Sequence, residues 1–140
     1  MSDRPTNTND AESVTLDFTV TAAEQRAFAE LSGDYNPLHL DLDTARAHGF
    51  VRPVVYGAII IAKLSQIIGM RIPGTHGVWS ALKIDFRAPL HVDEAARLTV
   101  EVGHQSCATR SRSLRVRVTA GVRTIATATA LVTLLDRGQS

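Results

Sequence analysis

The sequence is poor in cysteine, and this scarcity argues against two classes of protein. Cys107 is the single cysteine among 140 residues, so an intrachain disulfide is impossible and a reducing compartment, the cytoplasm, is the expected location. A zinc-type cluster needs several Cys or His ligands at short spacing, and the five histidines are mostly scattered. We therefore expect neither a disulfide-stabilised fold nor a bound metal.

Net charge is small as well, at +1, so the overall composition does not favour nucleic acid or an anionic membrane as a partner. The charges are unevenly placed. The first 50 residues carry three arginines and nine acids, whereas residues 97–140 carry seven arginines and two acids, Glu101 and Asp136. Two explanations remain open for these arginines: a solvated face of a sheet, or a docking face for an anionic carrier such as a nucleotide phosphate or an acidic protein.

An uninterrupted apolar run is also missing. The most apolar stretch, residues 53–73, is interrupted by Lys63 and Gln66, and the longest run falls short of the roughly 18–20 residues that a membrane span needs. A helix that is apolar nearly all round belongs in a protein core, so no membrane contact is predicted. Residues 1–12 lack the apolar region of a signal peptide, and we interpret residues 1–12 and 137–140 as disordered tails of one domain, 13–136.

The alternation of apolar and polar residues predicts the order of the elements. Residues 13–20 are typical of a strand, and Thr21 with Glu24 forms a capping-box pattern that begins a helix ending near Gly33. A short helix is expected within 41–50, and a long buried helix from Gly57 to about Gly69. Four strand-like segments follow, at 78–89, 96–106, 112–120 and 123–136.

This order predicts an α+β domain, in which a curved antiparallel sheet wraps around one apolar helix. Leu114, Val116 and Val118 face one way while Arg115 and Arg117 face the other, which is typical of a half-buried sheet. The sheet of so small a domain leaves an edge or a face uncovered. We therefore expect a homodimer.

The segment SGDYNPLHLD, residues 32–41, concentrates groups that can transfer protons. On an α-helix Asp34 and His39 would point about 140° apart, but Pro37 forbids a regular helix and pushes Asn36 toward extended geometry. A turn can bring the acid and the base to one side of a pocket, where the Asn36 amide could position water or a substrate oxygen. Imidazole titrates near neutral pH, so His39 can both accept and donate a proton.

Each candidate residue also has a purely structural explanation. Asp34 suits a turn cap, Asn36 an ordinary turn, and His39 a structural contact. Gly57 stands where a helix N-terminus exposes free N–H groups, which is a suitable place for an oxyanion hole, or it is a plain helix-start glycine. Ser65 follows eight residues later on the same helix, where a hydroxyl bonded back to the helix is the ordinary arrangement.

The segment FAELSGDYNPLHLDLDTA, residues 28–45, resembles the signature of the MaoC-like or hydratase-2 family, the (R)-specific enoyl-CoA hydratases. The similarity continues through RPVVYGAIIIAKLSQIIGMRIPG and LKIDFRAPLHVDEAARLTVEV, and it covers most of the chain. The resemblance implies a hot-dog fold, a curved antiparallel sheet around a long central helix, and a dimer whose two sheets join into one.

The resemblance also implies roles for individual residues. Asp34 and His39 would be the catalytic pair with Asn36 beside them, the Gly57 N–H would bind the thioester oxygen, and Ser65 would line the pocket. The implied reaction is hydration of a trans-2-enoyl thioester, or dehydration of a (3R)-hydroxyacyl thioester in reverse, without a metal or redox cofactor. Coenzyme A and acyl carrier protein both remain open as the carrier of the acyl group.

This chain departs from the family pattern at one position, and two other functions are alternatives to the hydratase. Many family members have His immediately before the glycine, where this chain has Tyr56, a residue expected to touch the pocket and to influence substrate choice. A hot-dog acyl-CoA thioesterase commonly places a carboxylate on or near the central helix, and residues 57–69 contain none. A non-catalytic acyl-binding subunit of a heteromeric dehydratase usually loses the Asp or the His, and this chain keeps both.

Overall fold

The computed structural model describes residues 12–136. Its strands are β1 (Ser13–Phe18), β2 (Gly77–Phe86), β3 (Ala96–Ser106), β4 (Ser111–Ala120) and β5 (Arg123–Leu134); its α-helices are α1 (Ala22–Ser32), α2 (Leu42–Ala47) and α3 (Gly57–Met70), with 3₁₀ turns at Pro37–His39 and Gly74–His76. Every predicted element is present, with ends that differ by up to three residues. The predicted tails lie outside the described residues apart from Glu12, whose carbonyl accepts a hydrogen bond from the Val102 N–H beside β1 (2.9 Å).

The five strands form one antiparallel sheet in the order β1-β3-β4-β5-β2. In β4 the side chains of Leu114, Val116 and Val118 are buried while Arg115 and Arg117 are exposed, so the predicted period of two is confirmed. The buried residues of β3 lie opposite those of β4. One face of the sheet is therefore apolar and needs a cover.

Helix α3 supplies that cover. Ile60 and Leu64 of the helix pack against Leu98, Val116 and Val118 of the sheet, with no water-sized space between them. Burying each such side chain contributes about 1.5–3 kcal/mol, which makes this contact the centre of the core. The predicted α+β architecture, a sheet around one long apolar helix, is thus present. No helix within residues 12–136 combines the length and the hydropathy of a bilayer span.

The prediction that α3 is a buried helix is correct for one face only. Its isoleucines at 59, 60, 67 and 68 are buried with Leu64, whereas Ala58, Ala62, Ser65 and Gln66 are exposed. A single five-stranded sheet covers one side of a helix, and α1 screens only part of the other. One flank of the core helix therefore stays open in the single chain.

Five of the six arginines from Arg97 to Arg123 are paired with acids. Arg97 donates to Asp17 at 2.7 Å and Arg115 to Glu101 at 3.3 Å, each pair lying across neighbouring strands. Further pairs join Arg110 with Asp136, Arg112 with Glu12, and Arg123 with Glu94. Because their charges are largely neutralised by these partners, the structure favours a solvated arginine face over a docking face for an anionic carrier.

Candidate active site

The turn between α1 and α2 contains Asp34, Asn36 and His39. Its side chains accept hydrogen bonds from the backbone of neighbouring residues. Gly33 ends α1 with φ +77°, a left-handed conformation that glycine adopts without strain. The Asp34 carboxylate then accepts the Asn36 N–H (3.1 Å), and the Asn36 side-chain oxygen accepts the Leu38 N–H (3.0 Å). Pro37 begins the 3₁₀ turn that presents His39. The expected break in helical geometry is therefore confirmed, and Asp34 and Asn36 also serve the turn itself.

The imidazole of His39 is held by contacts that determine its chemical form. Its Nδ1 lies 2.7 Å from the carbonyl oxygen of Val54. A carbonyl can only accept, so Nδ1 carries the proton and the neutral ring keeps Nε2 free as a proton acceptor. The ring also stacks on Tyr56, with centroids 4.0 Å apart and planes 25° from parallel. His39 is thereby held in one orientation, with a ring nitrogen that can accept a proton, rather than left as a flexible surface side chain.

A cleft of about 520 Å³ joins His39 to the start of α3. Its wall includes both His39 and Gly57, and the remaining lining is mostly apolar. Within the described residues, no backbone hydrogen bond engages the Gly57 N–H at the first position of α3. A Cβ on Gly57 would lie 2.8 Å from the ring of Phe86, so glycine allows this ring to approach the start of α3. A base and a free N–H donor at a helix N-terminus thus face one apolar cavity.

The far wall of the cleft, which includes Pro89 and Leu90, is fixed by an ion pair. The Arg123 guanidinium donates to both carboxylate oxygens of Glu94 (2.8 and 3.0 Å) and to the Pro89 carbonyl (2.8 Å). These hydrogen bonds from Arg123 lower the pKa of Glu94 to about 2. The carboxylate is therefore charged at neutral pH, and the wall stays anchored to the sheet.

Tyr56 links the backbone of Asp34 to the ring of His39. Its hydroxyl donates to the Asp34 carbonyl (2.6 Å), and its ring lies between Phe28 and His39. The side chain is buried, and it stands behind His39 rather than in the cleft lining. Burial, reinforced by the Asp34 charge, raises the pKa of Tyr56 above its ordinary value, so the hydroxyl remains a neutral donor at physiological pH.

Comparison with known proteins shows the family of this chain. The family described as MaoC like domain matches residues 5–128 of this chain. The chain belongs to the MaoC-like family. A solved structure of the (R)-hydratase from Aeromonas caviae involved in PHA biosynthesis superposes with a TM-score of 0.85 at 31% identity, covering 89% of this chain and 95% of that chain. The domain accordingly has the hot-dog fold that the sequence resemblance implied.

Two curated relatives of this MaoC-like chain are named for closely related reactions. The (R)-specific enoyl-CoA hydratase of Aeromonas caviae is 38% identical over 81 residues, which cover 58% of this chain and 60% of the relative. The mitochondrial 3-hydroxyacyl-[acyl-carrier-protein] dehydratase of Arabidopsis thaliana is 35% identical over 69 residues, which cover 49% of this chain and 40% of the relative. The matches therefore span about half the length of these curated relatives. Both names describe hydro-lyases, and neither describes a thioesterase.

The MaoC-like site brings together some of the predicted residues and leaves others apart. His39 and Gly57 line one cleft, whereas Asp34 and Asn36 are exposed on the adjacent turn and do not contribute to that lining in the single chain. Ser65 is exposed on the open flank of α3. Eight residues separate it from Gly57, a distance of about 12 Å along a helix. The single chain therefore does not bring Ser65 into the lining of the cleft that contains His39 and Gly57.

Gln25 is not among the residues predicted from the sequence, and the structure places it at the centre of the contacts that support the site. Its side chain is buried in α1 and bonds the backbone of His39, Val54 and Tyr56. A signal was available, because Gln25 precedes the predicted apolar-edge residue Phe28 by three positions and so falls on the inward stripe of α1. Among residues 12–136, no group of three Cys, His, Asp or Glu side chains is placed to hold a metal ion.

Proposed function

We propose that this chain catalyses the (R)-specific hydration of trans-2-enoyl thioesters and the reverse dehydration of (3R)-hydroxyacyl thioesters. The observation that carries the proposal is the shared cleft: the free Nε2 of His39 and the free N–H of Gly57 are presented to one apolar cavity of about 520 Å³. A base and an oxyanion donor on the same cavity are what conjugate addition to a thioester requires.

In the proposed reaction the Gly57 N–H donates to the thioester carbonyl oxygen and stabilises the negative charge of the enolate. The positive end of the α3 dipole adds to this effect. His39 and Asp34 hold a water molecule, remove one proton from it, and its oxygen bonds to C3 of the enoyl chain. The C2–C3 double-bond electrons move toward the carbonyl, and C2 takes up a proton to complete the addition. The Asn36 amide would position the water or the substrate oxygen.

Proton transfer and carbonyl polarisation account for every bond made or broken in this reaction. The proposed mechanism therefore needs no metal and no redox cofactor. The acyl chain would occupy the apolar part of the cleft, beside Val55, Ile60 and Leu90. The carrier would be coenzyme A or acyl carrier protein, in agreement with the names of the two relatives. Arg87 lines the cleft and its side chain is exposed. Its positive charge therefore supports an anionic carrier.

We also propose that two copies form a homodimer through the β2 edge of the sheet. Of the two edge strands, β2 is the longer, and it exposes about half of Val78 and of Phe86 together with Ser80, Lys83 and Asp85, whereas β1 exposes Ser13, Thr15 and Asp17. A long unpaired edge with exposed apolar side chains favours strand pairing with a second chain. Cys107 is exposed and without a disulfide partner, which suits the reducing cytoplasm as the proposed location.

Incubation of the purified protein with crotonyl-CoA, or with crotonyl-acyl carrier protein, tests the proposed function. We expect the enoyl absorbance to fall and 3-hydroxybutyryl thioester to accumulate with at least one of the two carriers. The absence of hydration with short and medium enoyl chains on both carriers would contradict the proposal. In that case a non-catalytic acyl-binding subunit would be the better description of this chain.

A further inference from the structure

Gln25 is the only non-aromatic polar side chain that is buried within residues 12–136, and its amide nitrogen and oxygen are both hydrogen-bonded. The amide nitrogen donates to the carbonyl of His39 at 2.8 Å and to the carbonyl of Val54 at 2.9 Å. The amide oxygen accepts the N–H of Tyr56 at 3.1 Å. A buried polar group with every donor satisfied by backbone fixes the relative position of the segments it joins.

Those segments carry the two reactive groups of the cleft. One is the 3₁₀ turn that ends at His39, and the other is the strand-like stretch 54–56 that runs directly into Gly57 and α3. The Val54 carbonyl accepts from both the Gln25 amide and the His39 Nδ1–H. Gln25 therefore holds in place the same oxygen that orients the imidazole.

We propose that Gln25 is a positioning residue for the proposed hydration reaction: through the Val54 carbonyl and the Tyr56 N–H, it sets the His39 imidazole against the Gly57 N–H. This inference rests on the proposed function and names the residue that aligns its two reactive groups. Gln25 does not line the cleft, so it acts through its neighbours and not on the substrate.

Removal of the Gln25 amide is expected to change the His39 tautomer and the reaction rate and to leave substrate binding nearly unchanged. Without the second donor the Val54 carbonyl can turn, the Nδ1–H bond of His39 weakens, and the imidazole can adopt the other tautomer. Misplacement of a catalytic group by about 1 Å can cost about 10²-fold in rate. Substrate binding changes little, because Gln25 has no contact with the cavity. A merely structural residue would lower stability and leave both the tautomer and the turnover of folded protein unchanged.

Replacement of Gln25 by Met, which keeps the length of the side chain and removes its hydrogen-bonding groups, tests the role. Gln66→Met is the matched control, because Gln66 is exposed on the open flank of α3. Measurements are kcat and KM for hydration, and the ¹⁵N correlation spectrum of the His39 imidazole in labelled protein. For Gln25→Met we expect kcat to fall by about 10–100-fold with a nearly constant KM, and His39 to change from the Nδ1–H tautomer to a mixture. Gln66→Met should match the wild type in all three.

Two results would overturn the inference: an unchanged kcat in folded Gln25→Met, or a lower kcat with an unaltered His39 spectrum. If Gln25→Met does not fold, Gln25→Glu replaces it under the same criteria, since it keeps the shape and the acceptor and loses at least one donor. If the wild type itself shows no turnover, the proposed function fails. The imidazole spectra of the wild type and the variant then still decide whether Gln25 positions His39.

Discussion

The tautomer and the orientation of the His39 ring are determined by residues that are distant in sequence. The Val54 carbonyl fixes its tautomer from 15 positions away, and Tyr56 stacks against its ring. The sequence identified His39 as the candidate base from its place in the motif, but it could not indicate which ring nitrogen is free. That property depends on a single backbone oxygen, whose position is set by the packing of α1 against the segment before α3.

Replacement of Asp34 or His39 tests the proposed proton transfer. We expect Asp34→Asn and His39→Ala each to lower kcat for hydration by about 10²–10⁴-fold, because each removes a proton-transfer group. The circular dichroism spectrum should be unchanged, since both side chains lie on the turn and not in the core. His104→Ala, on an exposed position of β3, is the control and should keep wild-type kcat. A near-normal rate for either motif variant would contradict the assigned roles.

Tyr56→Phe separates the ring of Tyr56 from its hydroxyl. The variant keeps the stacking on His39 and loses the hydrogen bond to the Asp34 carbonyl. We expect the free energy of unfolding to fall by about 1 kcal/mol and kcat to fall several-fold, because Asp34 is no longer tied to the base. Denaturant unfolding and hydration assays measure the two effects. Tyr35→Phe, at an exposed position of the same turn, should change neither. Wild-type stability and rate in Tyr56→Phe would show that the hydroxyl contributes nothing.

At the scale of elements, the ends of the helices were predictable because local chemistry decides them. The capping box of α1 forms as expected, with the Glu24 N–H donating to the Thr21 hydroxyl at 3.1 Å, and α3 begins at Gly57. The role of Gln25 was not predictable, because its three partners lie 14, 29 and 31 positions away. Exposure of one face of α3 was missed for a similar reason, since a helix that is apolar nearly all round does not show which side the sheet covers.

The N-terminus of α3 can be tested by removing one N–H without removing the helix. Proline is tolerated at the first helical position, and Tyr56 already has the extended backbone, φ −56° and ψ 127°, that a residue before proline adopts. We expect Gly57→Pro to lower kcat by about 10²–10³-fold, because the oxyanion donor is lost.

Gly57→Ala is the matched control for this change. It brings the same Cβ contact with the half-exposed ring of Phe86 but retains the N–H. We expect its kcat to stay much closer to the wild type than that of Gly57→Pro. Equal losses in the two variants would attribute the effect to crowding and would contradict a role for the N–H.

For the whole molecule, the α+β architecture was predictable from the sequence, but the strand order and the exposed flank of α3 were not. Alternation in β4 predicted a half-buried sheet, and that is observed. Strand order and the exposure of one flank of α3 depend on which strands pair across the chain, and no local pattern encodes this. The same structure leaves an unpaired β2 edge and an open helix flank, both of which suit a second chain.

Replacement of Val78 by Lys tests the proposed dimer. A lysine on the β2 edge opposes strand pairing with a second chain, so we expect Val78→Lys to shift the mass measured by light scattering from dimer toward monomer. Val122→Lys makes the same exchange at a fully exposed position in the β4–β5 turn and should leave the mass unchanged. A wild-type protein that is monomeric at all concentrations would contradict the dimer.

The proposed function requires that the cleft between His39 and Gly57 adds water to an enoyl thioester with (R) stereochemistry. The most direct measurement is the product formed from crotonyl-CoA in deuterated water, analysed by mass spectrometry and chiral chromatography. We expect (3R)-3-hydroxybutyryl-CoA with one deuterium at C2, formed by the wild type and lost in His39→Ala. Free crotonate, a (3S) product, or equal turnover in His39→Ala would contradict it.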